Sequence, residues 1–480
     1  MRMYGIAFDD ESSLSQYRQL VDQLRARISD GSIPGGARLA STRELSESLG
    51  IARSIVLEAL DQLKMEGFLR TERGSGTYVR KDLVWDGGSA ASALSYGGPR
   101  GNSPDAGQKP ALSFAPGLPD LSLFPRRQWA QCYKDAIEYA TNDDLSYNRP
   151  SGRWDLRQAI ARHLLETKGI RVGPERVIVT AGSSQAFAML ASLFNPPRVV
   201  MEDPQAPFVR RIFQGLGAEM TYVPVDDEGI VPELIPDARQ DFIYVTPAHQ
   251  FPVGGTLSAA RRVALLQRAR EIGAWVIEDD FDSEYRYEGH PVAPLHTLAP
   301  ERVAYVGTFS KNVSPALRIG YAILPPGLQA GFKTLKRRWD LWNEGLQQKA
   351  MAAFIEGGHL ERHLRRCHRL YREKNAFLKK LVEDSLSPGW TVIGATTGMH
   401  LVLRRRANGA SGANDAGGAN GPNGAQTIVE GLAARGIEIE PVSAYCRENP
   451  GFGDCLIVAF ANRTEEELKL LVAALADLSK

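Results

Sequence analysis

No run of apolar residues in this 480-residue chain is long enough to span a bilayer, so a helical membrane protein is not expected. The opening "MRMYGIAFDDESS" turns acidic too early for a secretory signal, and a cytoplasmic location is the expectation. Cysteine is scarce. Cys132, Cys367, Cys446 and Cys455 are scattered without a CxxC pair, as reduced cytoplasmic thiols would be. Net charge is also missing: 57 Lys and Arg against 56 Asp and Glu leave +1, so any face for a polyanion must be local. What remains is the composition of a globular protein, 43% hydrophobic and 24% charged, in a chain too long for one core.

The first 81 residues carry dense helical periodicity. "SLSQYRQLVDQLRARISDG" repeats apolar residues at helical spacing (Leu20, Leu24, Ile28) and stops at Gly31. "STRELSESLG" begins at a capping residue, Ser41 or Thr42, and stops at Gly50. "ARSIVLEALDQLKMEG" reads as a third helix ending at Gly67, and "FLRTERGSGTYVR" as two short strands about a Gly-Ser-Gly turn. Three helices and a hairpin describe a winged helix-turn-helix. Ser41, Thr42 and Arg43 at one helix start suit a phosphate. Arg53 and Ser54 open the next helix, the end that reaches base edges. Arg70 and Arg73 flank the wing tip Gly74-Ser75-Gly76. Charge does not distinguish this from a small structural domain, since residues 1–81 hold 12 Lys/Arg and 11 Asp/Glu.

The run "GSIPGGARLASTRELSESLGIARSIVLEALDQLKMEGFLRTERGSGTYV" resembles the GntR-type winged helix nearly end to end. The resemblance implies binding to double-stranded operator DNA through the residues just named. Ala40 stands where that family usually has proline.

Residues 82–110, "DLVWDGGSAASALSYGGPRGNSPDAGQKP", read as a flexible linker. From 111 to 480 apolar strands alternate with amphipathic helices: "RVIVTAG", "RVVMEDP", "DFIYVTP", "AWVIEDD", "VAYVGTFS". That alternation predicts an α/β domain with a largely parallel sheet covered by helices. Inside it, "RRRANGASGANDAGGANGPNGAQ" reads as a disordered surface loop.

Four pieces of this second part point to one cofactor. "VIVTAGSSQAF" runs from a strand into Gly182-Ser183-Ser184 at a helix start, which presents N–H groups and hydroxyls to a phosphate. Asp279 and Asp280 in "AWVIEDDFDSEYRY" end a strand too apolar to carry acids for solubility; a carboxylate there can keep a pyridinium nitrogen protonated. Lys311 after Ser310 offers an amine for a Schiff base. Arg318, in "SPALRIGY", can clamp a phosphate dianion. Together these groups specify pyridoxal 5'-phosphate (PLP).

Their order and spacing are similar to those of fold-type I PLP-dependent aminotransferases. The resemblance implies that Lys311 is the Schiff-base lysine, Asp279 the pyridine partner, and Ser183, Ser184, Ser310 and Arg318 phosphate ligands. It also implies that Tyr147, in "SYNRPSGRWDLR", reaches the partner subunit's phosphate in a homodimer. His249 or Gln250, in "TPAHQFPVGG", would lie beside the ring's phenolic oxygen. With both halves in this order, the chain resembles the MocR/GabR-type regulators, PLP-binding transcription factors that seldom act as efficient transaminases. The expected effector is PLP itself or an amine.

Three positions depart from the pattern. Ala206 stands where a tyrosine usually stacks on the ring, with Phe208 as the nearest substitute. Phe281 stands where related regulators often place a tyrosine. Ile457 occupies the place of the arginine that holds a substrate α-carboxylate, and Arg435, Arg447 and Arg463 lie nearby in sequence. Weak transamination at most is therefore expected. The row His359, His363, Cys367 lies on one helical face, but arginines 362, 365 and 366 surround it and no metal is expected there. Two rival readings follow from the same residues: a working aminotransferase with a DNA-binding appendage, and a degenerate large domain kept for dimerisation.

Overall fold

The computed structural model describes residues 3–9, 12, 14–72, 74–81, 112–290, 292–406, 424–449 and 451–479. The linker reading and most of the Gly/Ala/Asn insertion fall outside them, as does Arg73. Contacts divide the chain into two units, Met1–Gly107 and Gln108–Lys480.

In the first unit α1 (Gln16–Ser29), α2 (Thr42–Leu49) and α3 (Arg53–Met65) precede an antiparallel hairpin of β1 (Leu69–Glu72) and β2 (Gly76–Val79). Leu20, Val21, Leu24 and Ile28 of α1 meet Leu45, Val56, Leu60 and Leu63 in one apolar core. A full capping box starts α2: Ser41 Oγ accepts from Glu44 N, and Glu44 accepts from Ser41 N at 2.8 Å. The N–H that a proline would lack at position 40 is used here, because Ala40 N donates to the Tyr4 hydroxyl at 3.0 Å.

In the second unit β3 (Leu112–Ser113) leads into an eight-stranded sheet of β4 (Val177–Thr180), β5 (Arg198–Asp203), β6 (Glu219–Asp226), β7 (Gly229–Ile230), β8 (Phe242–Val245), β9 (Trp275–Asp280), β10 (Val303–Thr308) and β11 (Gly320–Ile323). The spatial order is β4-β11-β10-β9-β8-β5-β6-β7. Pairs β10–β9, β9–β8, β8–β5 and β5–β6 are parallel. The sheet departs from parallel at β11, which pairs antiparallel with both β10 and β4. It follows β10 through a short loop, Phe309–Ile319, too short for a helical crossover. Side chains alternate between two apolar cores: Val177 and Val179 join one with Ile160 and Phe354, and Ile178 joins the other with Phe187 and Phe213. A smaller sheet collects β12 (Trp390–Ile393), β13 (His400–Arg405), β15 (Glu440–Pro441) and β16 (Cys455–Ala459), while β14 (Ile437–Glu438) pairs with β3. Among the described residues no helix is long and apolar enough to cross a membrane.

Candidate cofactor site and nucleic-acid interface

The carboxyl ends of β4, β9 and β10 converge, as ligand sites of open α/β sheets do. Asp279 lies one residue before the end of β9 and is buried. The Tyr244 hydroxyl, on the neighbouring β8, donates to its Oδ2 at 2.6 Å. Burial, against that hydrogen bond, raises its pKa to about 7. Lys311 stands three residues beyond β10. Its ammonium donates to the carbonyl of Gly117, and its own carbonyl accepts from the Tyr285 hydroxyl at 3.3 Å. Burial lowers the Lys311 pKa while the charges of Asp282 and Asp279 oppose the fall. Gly117 has φ +103°, and a Cβ there would sit 3.2 Å from Lys311 Nζ, so glycine meets both a backbone and a space requirement.

The expected phosphate ligands gather where β4 and β11 meet the helix Ser183–Ala191, whose first turn has no side-chain cap. Its free N–H groups therefore point outward, beside the partly buried Ser183 and Ser184. Arg318, at φ +47°, donates from Nη2 to the Ala181 carbonyl at 2.7 Å. A Cβ on Gly182 would lie 3.1 Å from Arg318 Nη1. The loop is braced from behind. Gln185 accepts from Ala181 N at 2.9 Å and donates to Asp340 at 2.8 Å, and Asp340 pairs with the fully buried Lys336 at 2.6 Å. Ser310 is buried, and its N–H donates to Thr308 Oγ1.

His249 is buried and pairs through Nδ1 with Asp282 at 2.8 Å, leaving Nε2 with no partner. Phe281 stacks on its ring at 5.6 Å. Gln250 is used otherwise: its amide donates to the Pro204 and Phe251 carbonyls at 2.9 Å and its oxygen accepts from Val253 N. The second Asp282 oxygen accepts from Met399 N at 3.3 Å, tying this dyad to the start of β13. Tyr147 is 84% exposed, with its ring edge against Trp342. Ala206 caps the helix Pro207–Gly215, Phe208 is partly exposed near Phe187, and Ile457 is fully buried in β16. Of the three arginines near Ile457 in sequence, Arg435 pairs with Asp477 and Arg463 with Glu467, while Arg447 has no side-chain partner among the described residues. His363 and Cys367 lie within 3.6 Å, and His359 contacts Arg362 instead. Among the described residues no three His, Cys, Asp or Glu side chains gather as metal ligands.

A half-buried lysine amine, a strand-end carboxylate, an uncapped helix start with an arginine, and an unpartnered imidazole nitrogen fit PLP in each of its polar parts. Tyr244, Asp282, Gly117 and the Gln185–Asp340–Lys336 brace were not singled out by the sequence. Only a tyrosine inside the apolar run "DFIYV" hints at the first.

Asp279 carries a pH dependence. Its native pKa lies near 7 and the unfolded value near 3.8. Between these values the native state holds a proton that the unfolded chain has lost, so stability falls as pH rises. Glu202 and Glu278, also raised to about 7 by burial, act in the same direction. Burial holds His163 and His400 near 4, which acts the other way, so the readout is a difference: from pH 5 to 7 the urea midpoint of ligand-free Asp279→Asn should decline less, or rise more, than that of the wild type. An unchanged slope in the variant would assign the proton elsewhere.

In the first unit Arg43 is exposed and pairs with Glu47 at 3.0 Å. Arg53, at the start of α3, reaches Thr42 Oγ1 at 3.3 Å, so α2 and α3 present their first turns together. Ser54 is exposed beside Arg53. Gly74 (φ +79°) and Gly76 (φ +128°) form the wing turn, where the exposed Arg38 packs against Gly76. Arg38 was missed because it precedes α2, yet a bridge to Tyr78 attaches it to the wing.

Two families match the chain: "Bacterial regulatory proteins, gntR family" over residues 16–79 and "Aminotransferase class I and II" over residues 120–475. It is 33% identical to the HTH-type pyridoxine biosynthesis transcriptional regulator PdxR of Corynebacterium glutamicum, covering 98% of both chains. It is 34% identical to the probable rhizopine catabolism regulatory protein MocR of Rhizobium meliloti, covering 83% of each. Among solved structures, the multiple substrate aminotransferase of Thermococcus profundus superposes with a TM-score of 0.68 at 25% identity, over 77% of this chain and 91% of that one.

Proposed function

Because the chain belongs to the MocR/PdxR-type transcriptional regulators, which join a gntR-family winged helix to a class I and II aminotransferase domain, we propose that it senses PLP or a primary amine through Lys311 and converts that event into a change in operator binding. It is a DNA-binding, PLP-dependent regulator. The observation that carries the sensing reading is Lys311, half-buried and within reach of the Asp279 and Asp282 charges.

Bound PLP supplies an aldehyde that condenses reversibly with amines. Burial keeps Lys311 closer to the neutral, nucleophilic amine than an exposed lysine would be. Asp279 holds a proton at the pyridine nitrogen, with Tyr244 fixing the carboxylate. Ser183, Ser184, Ser310, Arg318 and the free N–H groups of the helix start bind the phosphate. His249, oriented by Asp282, offers Nε2 to the phenolic oxygen. A homodimer in the cytoplasm, with Tyr147 of each subunit reaching the other's phosphate, completes the reading. The exposure of Tyr147 in the single chain supports it. An effector shifts DNA binding only if it prefers one domain arrangement over another.

The test is operator binding by the full chain with and without PLP, then with primary amines. Operator affinity should change in one direction on ligand addition, and Lys311→Ala should not respond. Arg43→Ala and Arg53→Ala should weaken operator binding in both states and flatten its salt dependence by about 0.9 per phosphate contact removed. Equal affinity with and without every ligand would leave the large unit without a sensing role.

A further inference from the structure

A second group of polar side chains lies by the carboxyl end of β5 and the middle of β6, apart from the residues assigned to PLP. Arg210 lies in the helix Pro207–Gly215 and is 7% exposed, and its Nε and Nη1 have no hydrogen-bond partner. Buried guanidinium N–H groups without hydrogen-bond partners are costly, so proteins seldom keep them.

Asp203, at the end of β5, is close but already engaged. The N–H of Arg447 donates to one carboxylate oxygen at 2.8 Å, and those of Glu448 and Asn449 to the other at 2.6 and 2.8 Å. These bonds bring the Arg447 segment against the end of β5. The Arg447 side chain is exposed and makes no ion pair or hydrogen bond among the described residues. Tyr222, on β6, has only the weak acceptor Met220 Sδ at 3.7 Å. Arg447, Tyr222, Arg211 and Asp203 lie near enough for their charges to act on Arg210, and Glu448 near enough to act on Tyr222. Burial first, then Arg447, pulls the Arg210 pKa down. Gln205, in the same segment between Asp203 and Arg210, is 1% exposed with both side-chain polar atoms unpartnered.

Two guanidinium groups drawn together by a carboxylate that bonds backbone N–H groups instead make a receptor for an anion. We propose that Arg210, Arg447 and Tyr222 form a binding site for the oxyanion of a small molecule, a carboxylate or a phosphate, and that the acidic group of the effector is held there. The second clause rests on the sensing reading above; the anion site does not. Planar, multiply donating guanidinium groups suit either oxyanion. The site also supplies a cation pair in a chain whose usual carboxylate arginine is replaced by Ile457.

The test is calorimetric titration of the full-length, PLP-loaded protein with inorganic phosphate and, separately, with glutarate. PLP then occupies the Arg318 cradle. One or both anions should bind saturably, and the arm that gives the tighter binding identifies the source of the oxyanion. Arg447→Gln, an exposed position that cannot disturb the core, and Arg210→Met, which keeps the buried volume, should each weaken that binding by about tenfold. Without anion, the melting point of Arg210→Met is measured to show that the variant is folded. Heat that does not saturate with either anion, or affinities unchanged in both variants, would overturn the site. The visible band of Lys311-bound PLP is recorded in the same samples. Its absence would sink the sensing reading, and the titration would still decide the anion site.

Discussion

Lys311→Ala should abolish the lysine-linked visible absorption of PLP completely while leaving the phosphate end able to bind. The two effects separate because different elements build them. The proposed phosphate cradle comes from the uncapped helix at Ser183, from Arg318 at φ +47° and from the brace through Gln185 and Asp340. None of these contacts passes through the Lys311 side chain. The amine is held by the Gly117 carbonyl and faced by Asp279 and Asp282. Removing it deletes the lysine whose charge acts on the Asp279 carboxylate. Borohydride treatment of the wild type followed by peptide mapping should fix the label on Lys311, and the variant should carry none. A variant that keeps the band, or a label on another lysine, would rule out this attachment point. Gly117→Ala is an independent probe: a Cβ 3.2 Å from Nζ, at a backbone angle that favours glycine, should displace the amine without touching its chemistry.

Much of the fold could be read along the chain, because buried strands and capped helices write local signals. The apolar runs at Val177, Phe242 and Val303 became β4, β8 and β10, and Ser41 with Glu44 became a complete capping box. Gly182, Asp279 and Lys311 were visible for the same reason: each sits where an apolar run ends. What the sequence could not carry are contacts made by folding alone. Gly117 meets Lys311 across 194 positions, His249 meets Asp282 across 33, and Met399 comes from beyond the central sheet to share that carboxylate. The antiparallel return of β11 was hidden too, since an apolar tetrapeptide has no direction until its loop length is weighed. Arg210 was passed over because an arginine in "APFVRRIF" looks solvent-facing, and only the packed helix buries it.

Transamination of alanine, glutamate or aspartate should be slower than in working aminotransferases by about four orders of magnitude, taking on the order of a hundredfold for each lost orienting contact. By the resemblance to aminotransferases, two such contacts are missing. The first is the carboxylate clamp. Ile457 is fully buried in β16, between partners Val402 on β13 and Glu440 on β15, so no small movement brings a cation to that strand position. Arg463, the arginine closest to it in sequence, is committed to Glu467 and to the face of the Phe114 ring. The second is the aromatic stack. Ala206 has no ring, and Phe208, two residues on, is turned toward Phe187 at 6.5 Å. Amine exchange at Lys311 needs neither contact, since Lys311 and Asp279 are both in place. Condensation should therefore be fast and proton transfer from the α-carbon slow. Single-turnover spectra with each amino acid separate the two: a quick shift of the visible band followed by conversion to the pyridoxamine form over hours. Full conversion within seconds by any of the three would mean that another group, with Arg210 and Arg447 the first to examine, orients the substrate for catalysis, and the chain would then be an enzyme as well as a regulator.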